Sequence, residues 1–168
     1  MRWLYFDANA LAKRYSREIG TDLINEIFRC ASLSHCTCLS LSILETASIL
    51  VRKKNDGRLP LAAFDQAIIN FRTELIDAPE FIPAAINDSL VSSAYNFIAK
   101  HNINSTDAVI LRSVLNMKEK LNATGEQLVV LTSDKRLIKA AKSENVDVFD
   151  VEVETMTSRQ KLIDSTKP

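Results

Sequence analysis

Four acids, Asp7, Glu45, Asp107 and Asp134, each interrupt an otherwise apolar or weakly polar stretch, and they are spread along nearly the whole chain. Two of them stand directly after runs that read as buried strands: Trp3-Leu4-Tyr5-Phe6 before Asp7, and Leu128-Val129-Val130-Leu131-Thr132-Ser133 before Asp134. A buried carboxylate is costly unless something positive sits beside it. If the fold gathers these four, a divalent cation is the natural compensation, and metal-assisted phosphate chemistry is the leading expectation.

Each acid also has a plainer explanation. Asp7 and Asp134 sit where a helix cap is common, and Asp107 falls in the first turn of its helix, where the helix dipole favours a carboxylate. Glu45 is harder to dismiss, being the only charge between Leu39 and Val51 and sharing a helical stripe with Leu41, Ser48 and Ile49. No single acid decides the matter; the set of four, placed as it is, favours a metal centre.

The elements that must position them alternate. Strands are expected at residues 3–6, 36–39, 128–131 and 146–151. Helices are expected at 8–15, 21–31, 42–54, from Pro60 onward, at 84–100, from a cap at Ser105 or Thr106 to about 121, and at 135–143. Residues 78–83, with two prolines, read as a connection. Strands alternating with helices predict a parallel sheet covered on both faces. Ligands bind such sheets beyond the strands' carboxyl ends, where the strand order reverses. Asp7 and Asp134 fall at two such ends.

At 168 residues the chain is most simply one domain. Lys and Arg balance Asp and Glu at 21 each, which argues against broad, nonspecific gripping of duplex nucleic acid but leaves local phosphate contacts open. Basic residues cluster after the acids: Lys13, Arg14 and Arg17 after Asp7, Lys135 and Arg136 after Asp134, and a third group of Arg52, Lys53, Lys54 and Arg58. Cys30, Cys36 and Cys38 lack the spacing of a zinc or disulfide framework and read as structural. No apolar run reaches the ~20 residues a membrane helix needs. Asp7 and Lys13 arrive too early for a secretory leader, so a cytoplasmic location is expected.

The segment Tyr5-Phe6-Asp7-Ala8-Asn9-Ala10-Leu11-Ala12-Lys13-Arg14-Tyr15, followed by Glu18 and Gly20, resembles the first motif of PIN-domain proteins of the VapC toxin type. Leu44-Glu45, with Gly57-Arg58-Leu59 downstream, is similar to the second motif. Thr106-Asp107-Ala108 resembles the third, and Leu131-Thr132-Ser133-Asp134-Lys135-Arg136-Leu137 the fourth. The likeness spans residue 3 to about 151 and keeps all four acids. Position 9 often carries Ser or Thr in that family, and Asn9 keeps a polar side chain there.

The resemblance implies a PIN-like three-layer α/β/α sandwich over residues 1–151, built on a central, mainly parallel sheet of four or five strands; residues 152–168, polar in composition, read as a frayed tail. The resemblance also implies a Mg²⁺- or Mn²⁺-dependent endoribonuclease, the toxin of a type II toxin–antitoxin pair. Its partners would be an RNA substrate, a cognate antitoxin and a second copy in a homodimer. Asp7 would be the central metal ligand, helped by Asp107 and Asp134, and Glu45 would ligate or orient a water. Asn9 and Ser133 would hydrogen-bond phosphate or carboxylate oxygens, with Lys13, Lys135 and Arg136 as phosphate contacts. The alternative is a housekeeping or catalytically silent PIN domain serving RNA processing or protein interaction. A haloacid-dehalogenase-type phosphotransferase is disfavoured, because the amide of Asn9 stands where that chemistry uses a second carboxylate.

Overall fold

The first strand, β1 (Arg2–Phe6), buries Leu4, Tyr5 and Phe6 almost completely. Cover on both faces is the mark of an interior strand of a parallel sheet. The computed structural model describes residues 2–153 and 156–164. Within them β1 is flanked by β2 (Cys36–Cys38) and β3 (Gln127–Thr132), and β4 (Asp147–Asp150) completes the order β2-β1-β3-β4. All three pairings are parallel, with Phe6 in register with Cys38 on one side and Leu131 on the other.

Alternation along the strands sends side chains into two cores. Leu4, Phe6, Val129, Leu131 and Phe149 face one core, with α1 (Ala8–Tyr15), α2 (Thr21–Cys30), α3 (Ser40–Asn55) and α4 (Leu61–Phe71). Tyr5, Leu128 and Val130 face the other, with α5 (Asp88–His101), α6 (Ser105–Asn122) and α7 (Lys135–Ser143). The result is a three-layer α/β/α arrangement. The chain leaves β1 toward β2 and later crosses to β3 on the far side. The order therefore reverses between β1 and β3, which opens a crevice at their carboxyl ends.

Several boundaries differ from expectation. Helix α5 starts at Asp88, capped by Asn87, because Ala84 is tied to the sheet edge: its N–H donates to Cys38 O at 2.7 Å and its carbonyl accepts from Ser40 N at 2.9 Å. The cap of α6 is Asn104 rather than Ser105 or Thr106. A π-helical turn, Arg72–Ile76, prolongs α4. In the segment read as a polar tail, α8 (Met156–Asp164) forms and sinks Leu162 into the first core. Met1 and residues 154, 155 and 165–168 of that tail lie outside the described residues.

Gly20 precedes α2 at φ +92, and a Cβ there would lie 2.5 Å from Val151 O, so the turn after β4 can approach α2 only over a glycine. Cys36 and Cys38 are buried free thiols, as expected of structural cysteines. Among the described residues no helix is long and apolar enough to cross a membrane.

Candidate functional site

Asp7 leaves β1 and caps α1, its Oδ1 accepting from Ala8 N at 2.7 Å. Its Oδ2 accepts from the amide of Asn9 and from the buried hydroxyl of Thr132 at 2.9 Å. Asn9 is itself pinned from β3's end, where its Oδ1 accepts from Ser133 N at 2.9 Å and from Ser133 Oγ at 3.3 Å. Asp7 N donates to Leu131 O, and Asp134 N to Thr132 Oγ1, both at 3.0 Å. The two strand ends are thus stitched together around one carboxylate, which has little freedom to turn.

The other acids arrive from separate elements. Asp134 caps α7, with Oδ1 accepting from Arg136 N at 2.7 Å and Leu137 N at 3.0 Å. Asp107 lies in the first turn of α6 in a reciprocal pair with Asn104: its N–H donates to Asn104 Oδ1 at 2.8 Å, and its Oδ2 accepts from Asn104 Nδ2 at 2.9 Å. Asp134 Oδ2 and Asp107 Oδ1 carry no hydrogen bond among the described residues. Glu45 projects from α3. All four line a single cavity of about 260 Å³, together with Ala8, Asn9, Ser48, Ile49 and Arg52. Larger cavities of about 650 and 580 Å³ lie along α2 and beside Trp3, Ile82 and Met117; neither gathers acids from separate elements.

Electrostatics records the crowding. Burial pushes the Asp7 carboxyl up to about 6 against the pull of its Thr132 and Ala8 hydrogen bonds, and the charges of Glu45 and Asp134 add to the rise. Burial likewise lifts Asp107 to about 6, followed by the charges of Asp134 and Asp7, with Arg136 opposing. Glu45 is raised by burial and by Asp107, against Thr106 and Arg52. The carboxylates feel one another and lack sufficient positive compensation.

The chemistry of the donor set suits a hard divalent ion: carboxylate oxygens only, several with free lone pairs. Among the described residues no three His, Cys, Asp or Glu side chains form a ready-made ligand cage. That does not conflict with Mg²⁺, which keeps several waters and takes only one or two protein carboxylates directly.

The remaining expected residues divide. Asn9 lines the cavity, while Ser133 acts behind it by holding Asn9. Lys13 is not brought to the cavity: it is buried, with its ammonium 2.6 Å from Glu152 and 3.6 Å from Glu18. The Lys135 ammonium pairs with Asp150. Arg136 is exposed in the first turn of α7, and its side chain has no hydrogen-bond or ion-pair partner among the described residues. Sequence reasoning missed Thr132 and Arg52 as site residues. Arg52 had a signal, since it stands seven residues after Glu45, on the same helical stripe as Ser48 and Ile49.

No protein-family model and no curated protein matches the sequence. Solved structures do match in three dimensions. The crystal structure of PAE2754 from Pyrobaculum aerophilum aligns with a TM-score of 0.57 at 18% identity, over 96% of each chain. The crystal structure of FitAcB from Neisseria gonorrhoeae aligns at 0.59 and 14% identity, over 88% of this chain and 97% of that one. The structure of FitAB bound to an IR36 DNA fragment aligns at 0.60 and 16%, over 91% and 99%. The fold is the PIN-like α/β/α sandwich. Among the described residues its sheet has four strands, all parallel.

Proposed function

We propose that the protein is a divalent-metal-dependent endoribonuclease, the toxin of a type II toxin–antitoxin pair. The observation that carries this reading is the meeting of four carboxylates, from four separate elements, at the crevice where the strand order reverses. The fold shared with PAE2754 and the Fit proteins supports the resemblance to VapC-type PIN domains.

Asp7, Asp107 and Asp134 would hold Mg²⁺ or Mn²⁺. When bound, the ion would activate a water and neutralise charge developing on the scissile phosphate. Asp7, locked by Ala8 N, Asn9 and Thr132, fixes the position from which the others are measured. The free oxygens of Asp107 and Asp134 complete the set, and Glu45 would orient the attacking water. The cognate antitoxin would be a separate chain covering the acidic cavity with a basic residue.

The test expresses the wild type and Asp7→Asn without a partner protein, follows growth, and profiles cleavage of RNA by the purified chains with Mg²⁺, Mn²⁺ or EDTA. A DNA strand is assayed in parallel, since one structural neighbour was solved on a DNA fragment. The wild type should arrest growth and cut RNA only with metal, and the variant should do neither. Equal growth of the two strains, with no metal-dependent cleavage, rules the reading out.

A further inference from the structure

Nine basic residues follow the acids in sequence, and the structure sorts them by whether their side chains are already paired. Lys13 pairs with Glu152 and Glu18, Arg14 with Glu74 and Asn25, and Lys53 with Glu18 and Ser16. Arg58 pairs with Asp56, Lys135 with Asp150, and Lys54 lies over the ring of Phe64. Three remain: Arg17, Arg52 and Arg136 have no hydrogen-bond or ion-pair partner for their side chains among the described residues. Arg17 lies past the far end of α1. Arg52 lines the acid cavity, and Arg136 sits two residues beyond Asp134.

A guanidinium left free on the wall of a strongly acidic cavity is unusual. The nearby carboxylates could have paired with it, yet its side chain forms no ion pair with any of them. Glu45, Ser48, Ile49 and Arg52 follow at helical spacing, so Arg52 stands two turns, about 10.5 Å along the axis, beyond Glu45. The side chain is exposed on the cavity's wall, where its charge acts on Glu45 without pairing with it. A polyanion approaching four carboxylates is repelled unless cations flank them. A guanidinium forks onto phosphate oxygens better than any other side chain.

We propose that Arg52 is a substrate-binding residue of this cavity, its guanidinium holding a backbone phosphate that neighbours the one presented to the acids, with Arg136 gripping the strand from α7. This rests on the nuclease reading above and adds the residues that seat the chain. The substrate it implies is a single strand drawn across the cavity mouth, held through its phosphates and not through its bases.

The test measures cleavage of a single-stranded RNA by the full-length protein with Mg²⁺ or Mn²⁺, as KM and kcat, and binding of the same strand, fluorescently labelled, to the Asp7→Asn chain over a salt series. Arg52→Gln and Arg136→Gln are each expected to raise KM and weaken binding about three- to tenfold with kcat nearly unchanged. Each should also lower the salt slope by about 0.7, one phosphate contact to a single strand. Arg52→Lys should keep the slope, and Arg17→Gln, equally unpaired but remote, should match the parent in every measure. If the parent cleaves RNA while Arg52→Gln binds it with unchanged affinity and slope, this inference alone fails. If the parent neither binds nor cleaves RNA, the nuclease reading fails and takes this inference with it.

Discussion

Replacing Asp7 by Asn should stabilise the metal-free protein at neutral pH, and the gain should vanish in acid. The carboxyl of Asp7 is lifted from 3.8 to about 6, mainly by burial. The folded state therefore holds that proton more tightly than the unfolded chain does. Below pH ~3.8 both states are protonated and the carboxyl carries no penalty; above ~6 the folded state must bear a buried charge, and the full penalty applies. Roughly two units at 1.36 kcal/mol each amount to about 3 kcal/mol. Asn still caps α1, accepting from Ala8 N. Its new amide, however, faces the donating amide of Asn9 where Oδ2 had been an acceptor, a mismatch of about 1–2 kcal/mol that does not titrate. Losing the charge also relaxes Asp107, which Asp7 helps to raise, in the same direction. Urea unfolding of both proteins in EDTA, from pH 4 to 7.5, should show their stability difference moving by about 3 kcal/mol in favour of the variant as pH rises. Added Mg²⁺ should then stabilise the wild type and leave the variant unmoved. Parallel stability curves across that range, or a difference of opposite sign, would refute the account of Asp7 as a buried and under-compensated charge.

Two further outcomes follow from the hydrogen-bond network. Thr132→Val keeps the shape of a fully buried side chain but removes the hydroxyl that holds Asp7 Oδ2. Cleavage should fall about ten- to a hundredfold, and the acid limb of kcat/KM against pH should move upward, because a bond that lowers the Asp7 carboxyl is gone; an unmoved limb counts against the positioning role. Lys13→Gln should cost about 1–3 kcal/mol in urea unfolding, less than a fully buried pair because Glu18 and Glu152 stay partly wet. Cleavage per folded molecule should match the wild type, and a loss of turnover would mean that the ammonium serves the cavity after all.

Much of this arrangement was legible because local chemistry and global fold agree. The apolar runs before Asp7 and Asp134 are β1 and β3, and their parallel pairing explains why acids 127 positions apart meet. Where several residues could do the same local job, sequence was ambiguous: Asn104, Ser105 and Thr106 can all cap, and only Asn104 also reaches Asp107. Long-range partners were invisible. Lys13 finds Glu152 across 139 residues, so its position just after the first motif suggested a phosphate contact that its ion pairs rule against. Thr132 read as an ordinary strand residue, since nothing local reveals that its hydroxyl faces a carboxylate 125 residues away. The tail helix α8 was missed because its buried anchor among the described residues, Leu162, stands in a polar stretch that leaves almost no apolar period to detect.

The short stretch that ties Ala84 to β2 bears on how this protein can associate with others. It occupies the outer side of β2, with Thr37 also donating to Ile82 O, and Pro83 offers no N–H to a newcomer. At the opposite border β4 is only four residues long and begins and ends in Asp. The β2 border is thus closed to a foreign strand, and the β4 border offers only four residues to pair with. Recognition by another polypeptide is thereby steered to the helical surfaces, where side chains rather than main-chain ladders decide which neighbour fits.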